Sequence, residues 1–374
     1  MTMGKHLVLV GGGHAHMVTL ANLHHFIEKG HRATVIGPSA YHYYSGMGPG
    51  MLGKTYAPED IRFATQYGVE KQGGVFILGK VVRVDPEGKT VILESGDAVS
   101  YDVISFNTGS YVPRSMVNDG QKDIVSVKPI EKLIDAQRRI LEQVPRKQIT
   151  VSIIGGGPSA AEIAGNVWRL TRDHGPNKPK IQIFAGKKFL SQVPDTMRSK
   201  AALSLKKRGI EILEKEYVKD IKTGQITLES GQRHDTDFIF LAIGVKPSPI
   251  FKESDLPTGP DGGLLVNKYL QCRAYPEIFG GGDCIYFKDR PLDKVGVYAV
   301  RQNPVLYQNL MASLEGTVLQ PFDPGGDYLL IFNMGDGTGI LRKKRLVIGG
   351  RLAFFIKDYI DRKFIRKFQA MGQK

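Results

Sequence analysis

Two stretches, Leu7-Val-Leu-Val-Gly-Gly-Gly13 and Val151-Ser-Ile-Ile-Gly-Gly-Gly157, decide the fold of this chain. Each is an apolar run that ends in three glycines, and each is followed by a helical pattern and then a second apolar run, at residues 32–36 and 180–184. Continuous apolar runs are typical of parallel strands that are buried on both faces. The sequence therefore predicts two βαβ units.

The residues that follow each unit also repeat. Strand-rich stretches at 74–93 and 210–228 lead to Tyr101-Asp-Val-Ile-Ser-Phe-Asn-Thr-Gly109 and Thr236-Asp-Phe-Ile-Phe-Leu-Ala-Ile-Gly244, each with a polar start, an apolar strand and a final glycine. This duplication predicts an α/β fold with two Rossmann-like, three-layer dinucleotide-binding domains.

We expect the second domain to be inserted in the first, because Ile278-Phe-Gly-Gly-Gly-Asp283 has the pattern of a returning strand and turn. The expected limits are 1–112 with 268–320 for the first domain, 113–267 for the second, and 321–374 for a C-terminal segment. That segment has a strand-like pattern to residue 348 and a basic, amphipathic helical pattern over 349–368.

Composition limits the partners and the compartment. The 374 residues carry a formal charge of +14, which favours an anionic partner such as nucleotide phosphates or acidic lipid headgroups. No zinc-ligand spacing, RNA-binding signature or helix-turn-helix pattern is present, so we expect no nucleic acid and no metal. Two cysteines cannot form a disulfide framework and favour a reducing, cytoplasmic location. The first strand starts at residue 5 and no apolar stretch could span a bilayer, so we expect no signal peptide and at most a peripheral membrane contact.

A glycine-rich turn between a strand and a helix allows a pyrophosphate to approach the backbone, where the helix N-terminus stabilises its charge. Gly11 and Gly13 occupy the first two positions of that pattern, but the third position is His16. The second copy has Gly155, Gly157 and Ala160, with Pro158 and Ser159 opening its helix. One copy alone is equally well explained as a tight turn, whereas two copies in the same context indicate two dinucleotides.

The acidic residue that usually binds the ribose hydroxyls after the second strand is missing from both copies. In the first copy Ser39 could bind the ribose instead. In the second copy Lys187 and Lys188 could favour a 2′-phosphate, or they could be solvated lysines of a loop.

The chain resembles the pyridine nucleotide–disulfide oxidoreductase superfamily, and within it the type II NADH dehydrogenases and sulfide:quinone reductases. It is most similar to the NADH-dehydrogenase-like flavoproteins associated with selenide, water dikinase. The resemblance rests on four segments: Gly11-Gly-Gly-His-Ala-His16, Tyr44-Ser-Gly-Met-Gly-Pro-Gly50, Gly296-Val-Tyr-Ala-Val-Arg-Gln302 and Lys357-Asp-Tyr-Ile-Asp-Arg-Lys-Phe364.

The resemblance implies FAD in the first domain and NAD(P)H in the second. Gly282 and Asp283 would form the second FAD motif, with Asp283 on the ribityl chain; the lesser alternative is that Asp283 caps a helix. The remaining contacts that the resemblance implies come from the glycine loops, strand ends and first helical turns, at His14, Ser45, Val82, Thr108, Gly109, Gly244, Val297 and Tyr298. We interpret His14 and His16 as neutral side chains near FAD.

Two residues are candidates for catalysis. The resemblance places Glu162 near the nicotinamide and the flavin, and the alternative is a favourable charge near a helix N-terminus. Type II dehydrogenases carry a glutamine near the quinone in the segment that matches 296–302, where this chain has Val297 and retains only the later Gln302. Cys284 follows Asp283 but lacks an evident partner, so a thiol–disulfide relay is not expected.

The resemblance implies an enzyme that passes electrons from NAD(P)H through FAD to a small-molecule acceptor. A quinone is the expected acceptor, a sulfur or selenium compound is an alternative, and a flavin-binding redox partner with little turnover is another. The basic C-terminal helix is expected either to bind an anionic membrane surface, to pack on the protein or to mediate a homodimer.

Overall fold

The computed structural model describes residues 4–117 and 122–369. The helices and strands up to residue 117 are β1 (His6–Val10), α1 (Met17–Ala21), α2 (Leu23–Glu28), β2 (Arg32–Gly37), β3 (His42–Tyr43), α3 (Gly48–Leu52), β4 (Arg62–Phe63), α4 (Thr65–Lys71), β5 (Val75–Leu78), β6 (Val81–Asp85), β7 (Thr90–Leu93), β8 (Ala98–Ser100), β9 (Val103–Phe106) and β10 (Ser110–Tyr111). Short 3₁₀ turns occupy His14–His16, Ser45–Met47 and Pro58–Ile61.

The second part of the chain repeats this order with longer helices. Its elements are β11 (Ile124–Ser126), α5 (Lys132–Gln143), β12 (Thr150–Ile154), α6 (Pro158–Thr171), β13 (Lys180–Phe184), α7 (Asp195–Lys206), β14 (Glu211–Leu213), β15 (Val218–Lys222), β16 (Gln225–Leu228), β17 (Arg233–Asp235), β18 (Phe238–Leu241), β19 (Lys246–Pro247), α8 (Ile250–Glu253) and β20 (Leu264–Val266).

The last part completes the first sheet and adds a C-terminal layer. Its elements are β21 (Ile278–Gly280), a 3₁₀ turn at Gly282–Cys284, β22 (Ile285–Phe287), α9 (Gly296–Glu315), β23 (Leu330–Asn333), β24 (Gly339–Lys343), β25 (Leu346–Gly350) and α10 (Arg351–Gln369).

Two five-stranded parallel sheets form the centre of the molecule, and their spatial orders correspond. The first is β21-β9-β1-β2-β5 and the second is β11-β18-β12-β13-β14. In each sheet the strand before the glycine loop lies between the second apolar strand and the closing strand, and its residues are almost fully buried. A three-stranded antiparallel sheet, β6-β7-β8 or β15-β16-β17, accompanies each one. The predicted α/β fold with two Rossmann-like units is therefore confirmed.

The chain returns to the first sheet after the second unit, since Ile278 of β21 lies opposite Ile104 of β9. This pairing supports the insertion that the sequence suggests. The domain limits of 1–112 with 268–320, 113–267 and 321–374 remain our proposal.

The C-terminal segment is a three-stranded meander followed by α10. The helix begins at Arg351, two residues later than the sequence predicts, because Gly349 and Gly350 pair with β24. Its inner face buries Ala353, Asp361, Ile365 and Phe368. A second apolar face of α10 is largely in solvent, and its exposed side chains are Leu352, Phe355, Tyr359 and Ile360. Among the described helices, α10 included, none is both long and apolar enough to cross a membrane.

Candidate active site

The first glycine loop is shaped by close contact with the end of β9. Gly11 has φ of +89°, and a Cβ at this position would lie 2.3 Å from the carbonyl oxygen of Asn107. Its N–H donates to the oxygen of Ile36 at 2.8 Å, which fixes the turn to the end of β2. Gly13 is the N-cap of the following 3₁₀ turn, and a Cβ there would lie 2.5 Å from the Asn107 side-chain oxygen. Only glycine fits at either position.

His16 replaces the usual third small residue and is fully buried. Its Nδ1 lies 2.7 Å from the Gly11 carbonyl oxygen and its Nε2 lies 2.8 Å from Ser105 Oγ. Nδ1–H donates to the carbonyl, so Nε2 accepts from the hydroxyl. Burial lowers the pKa of His16 to about 4, and the ring is therefore a neutral brace between the glycine loop and β9.

The returning turn after β21 closes the same site from the other side. Gly282 has φ of +75°, and its N–H donates to Gln302 Oε1 at 2.6 Å. Because the Gln302 side chain is buried and already bonded to this turn, we now propose that it positions the turn and does not contact the acceptor. Gly282, Asp283, Tyr298 and Gln302 line one small cavity.

Asp283 forms a compact charged group with two residues that the sequence did not single out. Its Oδ2 accepts from Lys128 Nζ at 2.8 Å and from Ser110 Oγ at 2.7 Å. Burial alone would raise the pKa of Asp283, but the charge and hydrogen bonds of Lys128 and Ser110 outweigh it and lower the pKa. Asp283 is therefore an ionised acceptor at neutral pH, as a ligand hydroxyl requires.

Several buried polar atoms around the first loop have no partner among the described residues: His14 Nε2, His42 Nε2, Asn107 Nδ2 and Thr108 Oγ1. Buried polar groups are normally hydrogen-bonded, so orphaned groups that surround a glycine cradle fit a polar ligand such as FAD. Asn107 lies over both Gly13 and Gly282, and the sequence analysis missed it although it directly precedes Thr108.

Other predicted FAD residues are less enclosed than the residues of this cradle. Ser39 follows β2 and accepts from the Tyr41 N–H at 3.1 Å, and Val82 is 37% exposed on β6. Ser45 opens the 3₁₀ turn beside Tyr44, Gly109 has φ of +67° after β9, and Val297 is half-buried in the first turn of α9. None of these roles is tested by the contacts, and they remain proposals.

The second glycine loop has a backbone conformation similar to that of the first, but the space in front of it is open. Gly155 has φ of +132°, and a Cβ there would lie 2.2 Å from the Ala242 oxygen. Gly157 is the N-cap of α6, and nothing lies within 4 Å of a Cβ at that position. Pro158 and Ser159 are exposed in the first turn, and Gly244, with φ of +91°, is exposed beyond β18. This free space at a helix N-terminus fits a pyrophosphate.

Glu162 lies one turn into α6 and faces the C-terminal segment. Its Oε1 accepts from the Asn333 N–H at 2.7 Å. Burial raises the pKa of Glu162 to about 7, although Lys357 and the Asn333 hydrogen bond act in the opposite direction. Glu162 thus has a contact with β23, and feels the charges of Lys357 and Asp361 on α10, neither of which the sequence analysis anticipated.

Lys357, whose charge acts on Glu162, contacts the aromatic segment near the first loop. Its Nζ donates to Asp361 Oδ2 at 2.7 Å and to the Gly46 carbonyl oxygen at 2.8 Å, and Tyr44 OH donates to Asp361 Oδ1 at 3.0 Å. Burial would lower the pKa of Lys357, but the neighbouring carboxylates Asp361 and Glu162 raise it. Lys357 therefore stays charged and is held in place.

Aromatic rings continue from this group to His14. The His14 ring lies 5.0 Å from Tyr44, 5.5 Å from His42 and 5.8 Å from Phe364, measured between centroids. Burial and then the charge of His42 lower the pKa of His14 to about 3, and burial lowers that of His42 to about 4. The group is an uncharged wall that joins the first glycine loop to α10.

Both cysteines are buried, and burial raises their pKa values. Within residues 4–117 and 122–369, no group of three or more His, Cys, Asp or Glu side chains could hold a metal ion.

Residues 5–311 match the family model of the pyridine nucleotide-disulphide oxidoreductases. The chain belongs to this family. It is 28% identical to ferroptosis suppressor protein 1 of Taeniopygia guttata, over 80% of each chain. It is 24% identical to a type II NADH:quinone oxidoreductase of Staphylococcus epidermidis, over 98% of this chain and 97% of the relative.

Solved structures show the same fold over most of the chain. NDH2 from Plasmodium falciparum in complex with NADH superimposes with a TM-score of 0.82 at 13% identity, covering 98% of this chain and 96% of its own. The sulfide:quinone oxidoreductase of Aquifex aeolicus gives 0.79 at 18% identity, covering 98% and 92%. The protein is therefore an FAD-dependent NAD(P)H oxidoreductase, with FAD and NAD(P)H as its cofactors.

Proposed function

We propose that the protein transfers electrons from NAD(P)H to a quinone. The observation that carries this proposal is the uncharged aromatic wall of His14, Tyr44 and Phe364. Tyr44 at its edge contacts the Asp361–Lys357 pair, whose charges act on Glu162, a buried carboxyl group with a pKa of about 7. A planar, apolar acceptor that must take up protons needs both features. The relatives named for quinones support the same acceptor class.

The overall reaction is NAD(P)H + H⁺ + quinone → NAD(P)⁺ + quinol. When bound, FAD supplies the two-electron chemistry, accepting a hydride equivalent and passing the electrons on. In our proposal, the glycine loop and Asp283 bind and orient the FAD, and the neutral rings of His14 and Phe364 exclude water from the acceptor side.

Glu162 would hold the proton that the acceptor takes up. A carboxyl with a pKa near the working pH is suited to proton transfer, because both of its forms are populated. Lys357 is a positioning residue in this proposal, since its contacts with Asp361 and Gly46 hold α10 against the site.

We also infer that the exposed face of α10, formed by Leu352, Phe355, Tyr359 and Ile360, contacts an anionic membrane surface. Apolar side chains beside Arg351, Lys363, Arg366 and Lys367 are typical of helices that lie in the membrane interface. This position would bring a lipid-soluble acceptor to the aromatic wall on the opposite face of the same helix.

Anaerobic mixing tests the main proposal. NADH or NADPH should bleach the flavin absorbance of the FAD-loaded protein, and a soluble quinone should restore it with steady turnover. If oxidised sulfur or selenium compounds restore the flavin absorbance and quinone does not, the acceptor is a sulfur or selenium compound and not a quinone. Absence of bleaching by either nucleotide would instead indicate a flavin-binding partner with little turnover.

A further inference from the structure

The loop after β13 carries the residues that would meet the adenosine end of the nicotinamide nucleotide. In Rossmann units an acidic residue near the end of the second strand binds the 2′-hydroxyl of NADH, and a basic residue accommodates the 2′-phosphate of NADPH. Here β13 ends at Phe184 and is followed by Ala185, Gly186, Lys187 and Lys188. None of these side chains can accept a hydrogen bond from a hydroxyl group.

Four contacts fix the shape of this loop. The N–H of Ala185 donates to the Leu213 oxygen at 2.8 Å, and that of Phe189 donates to Glu214 Oε1 at 2.7 Å. The N–H of Leu190 donates to the Gly156 oxygen at 2.6 Å, and a Cβ at Gly156 would lie 2.4 Å from the Ala185 oxygen. The lysine loop is therefore bound directly to the glycine loop that would hold the pyrophosphate.

The carboxylates on the facing segment are already engaged. Glu214 accepts the Phe189 N–H, and Glu216 Oε1 accepts the Ser230 N–H at 2.6 Å. Both are held by backbone groups, so neither replaces the missing ribose-binding acid.

The two lysines differ in their own partners. Lys188 Nζ lies 3.5 Å from Asp195 Oδ1, whereas Lys187 is exposed and takes part in no ion pair within the described part of the chain. Gly186 between strand and lysines has φ of +66°, and a Cβ there would lie 2.7 Å from the Tyr217 ring, which is 53% exposed. Lys187 thus directly follows the residue that touches an accessible aromatic ring, and a cation and an aromatic ring in the same loop suit a phosphate and a purine.

We propose that Lys187, assisted by Lys188, binds the 2′-phosphate of NADPH, and that the protein prefers NADPH to NADH. This inference rests on the second glycine loop being the nicotinamide nucleotide site of the proposed function. A doubly charged phosphate gains charge-assisted hydrogen bonds from the ammonium groups, which a 2′-hydroxyl does not.

The test compares 2′-phospho-ADP-ribose with ADP-ribose, because neither can be oxidised and the acceptor plays no part. Calorimetry on the FAD-loaded protein should show the phosphorylated compound binding at least about 10-fold more tightly, the size expected of a hydrogen bond to a charged group. Lys187→Ala should remove most of this difference while leaving ADP-ribose affinity within about 2-fold, and Lys187→Glu should reverse the preference.

Lys252→Glu is the matched control, since Lys252 is an exposed lysine on α8, whose residues Ile250 and Phe251 pack in the core around β1 rather than beside the second glycine loop. It should leave both affinities unchanged. Equal binding of the two compounds to the parent protein, or equal loss of both in Lys187→Ala, would overturn the assignment. If neither compound binds, the assignment of Lys187 is overturned, and the second glycine loop is not the nucleotide site. A protein that keeps the preference but does not reduce quinones would contradict only the proposed function.

Discussion

The two glycine loops have nearly the same backbone and very different surroundings. Gly13 and Gly157 are both N-caps, with φ and ψ of −71° and −179° in one loop and −89° and −178° in the other. The N–H groups of Gly11 and Gly155 both donate to the end of the second strand, at 2.8 and 2.9 Å. The closing strands supply Asn107 in the first unit and Ala242 in the second. The same glycine-loop pattern therefore forms two different kinds of site.

The first site is enclosed, and the second is open. Asn107, His16 and the Gly282 turn crowd the first loop, whose helix is broken at Asn22 between α1 and α2. The second loop leads into the uninterrupted α6, and the space before Gly157 is free. This difference suits a cofactor that stays bound in one site and a substrate that must leave the other after each turnover.

The largest expected effect is that of a leucine in either loop. Gly13→Leu should abolish FAD retention, because its side chain would compete with Asn107 and with the pyrophosphate. Gly157→Leu should keep FAD and lose reduction by NAD(P)H, because its Cβ would meet no atom of the described residues within 4 Å and its side chain would extend into the nucleotide space. The FAD content is measured after acid precipitation, which should release a non-covalent flavin, and reduction is measured by anaerobic bleaching.

Trp168 provides the control for folding in both variants. It is the single tryptophan of the chain and lies 5.0 Å beneath the Arg208 guanidinium in the second unit. Its fluorescence should be unchanged in each variant that folds. Full FAD occupancy in Gly13→Leu would mean that the first loop is not the FAD site, and nucleotide reduction in Gly157→Leu would reject the second assignment.

The repeated strands and loops could be predicted because their signal is local. An apolar run before three glycines and a glycine-ended closing strand are readable within about 30 residues, the length of one βαβ unit. The residues that contact these site residues come from distant segments of the chain, and no local pattern predicts them. Lys128 reaches Asp283 because the chain returns to the first sheet, and the Asn333 N–H reaches Glu162 because the C-terminal segment packs on α6. The motif at 296–302 singles out Gln302, but its contact with Gly282 arises only because the chain returns to the first sheet.

The second prediction concerns Glu162, which lies where α6 of the second unit contacts the C-terminal segment. Because the pKa of Glu162 is about 7, its carboxyl is mostly protonated at pH 6 and mostly ionised at pH 8. If the protonated form serves the acceptor, quinone turnover should fall as pH rises through about 7. Glu162→Gln should lower turnover at pH 6 by about 100-fold and remove this pH dependence.

Flavin bleaching by NADPH distinguishes proton transfer from a structural defect, since hydride donation needs no proton from Glu162. Bleaching should stay within about 3-fold of the parent rate, a change of less than 1 kcal/mol. Glu162→Asp, which keeps a carboxyl, should retain part of the pH profile. A variant that loses bleaching and turnover together would show that Glu162 only supports the fold of α6.

Changes to the exposed face of α10 are expected to have the smallest effect on the chemistry. Truncation before Lys357 is not a clean test, because it would remove Ile365 and Phe368 from the core together with the Lys357 contacts. Replacing Leu352, Phe355 and Tyr359 with serine alters only exposed side chains. The triple variant should keep FAD and reduce a soluble quinone normally, while its binding to anionic phospholipid vesicles weakens about 10-fold or more.

Salt and a control variant decide what that face binds. Vesicle binding of the parent should decrease between 0.01 and 0.15 M salt, since the screening length falls from about 30 Å to about 8 Å. Leu203→Ser, at an exposed leucine on α7, should bind as the parent does. If the parent ignores such vesicles at low salt and sedimentation shows that the triple variant converts a dimer to a monomer, α10 joins two copies of the chain. In that case the exposed face explains assembly, and a quinone would have to reach the aromatic wall without help from a membrane.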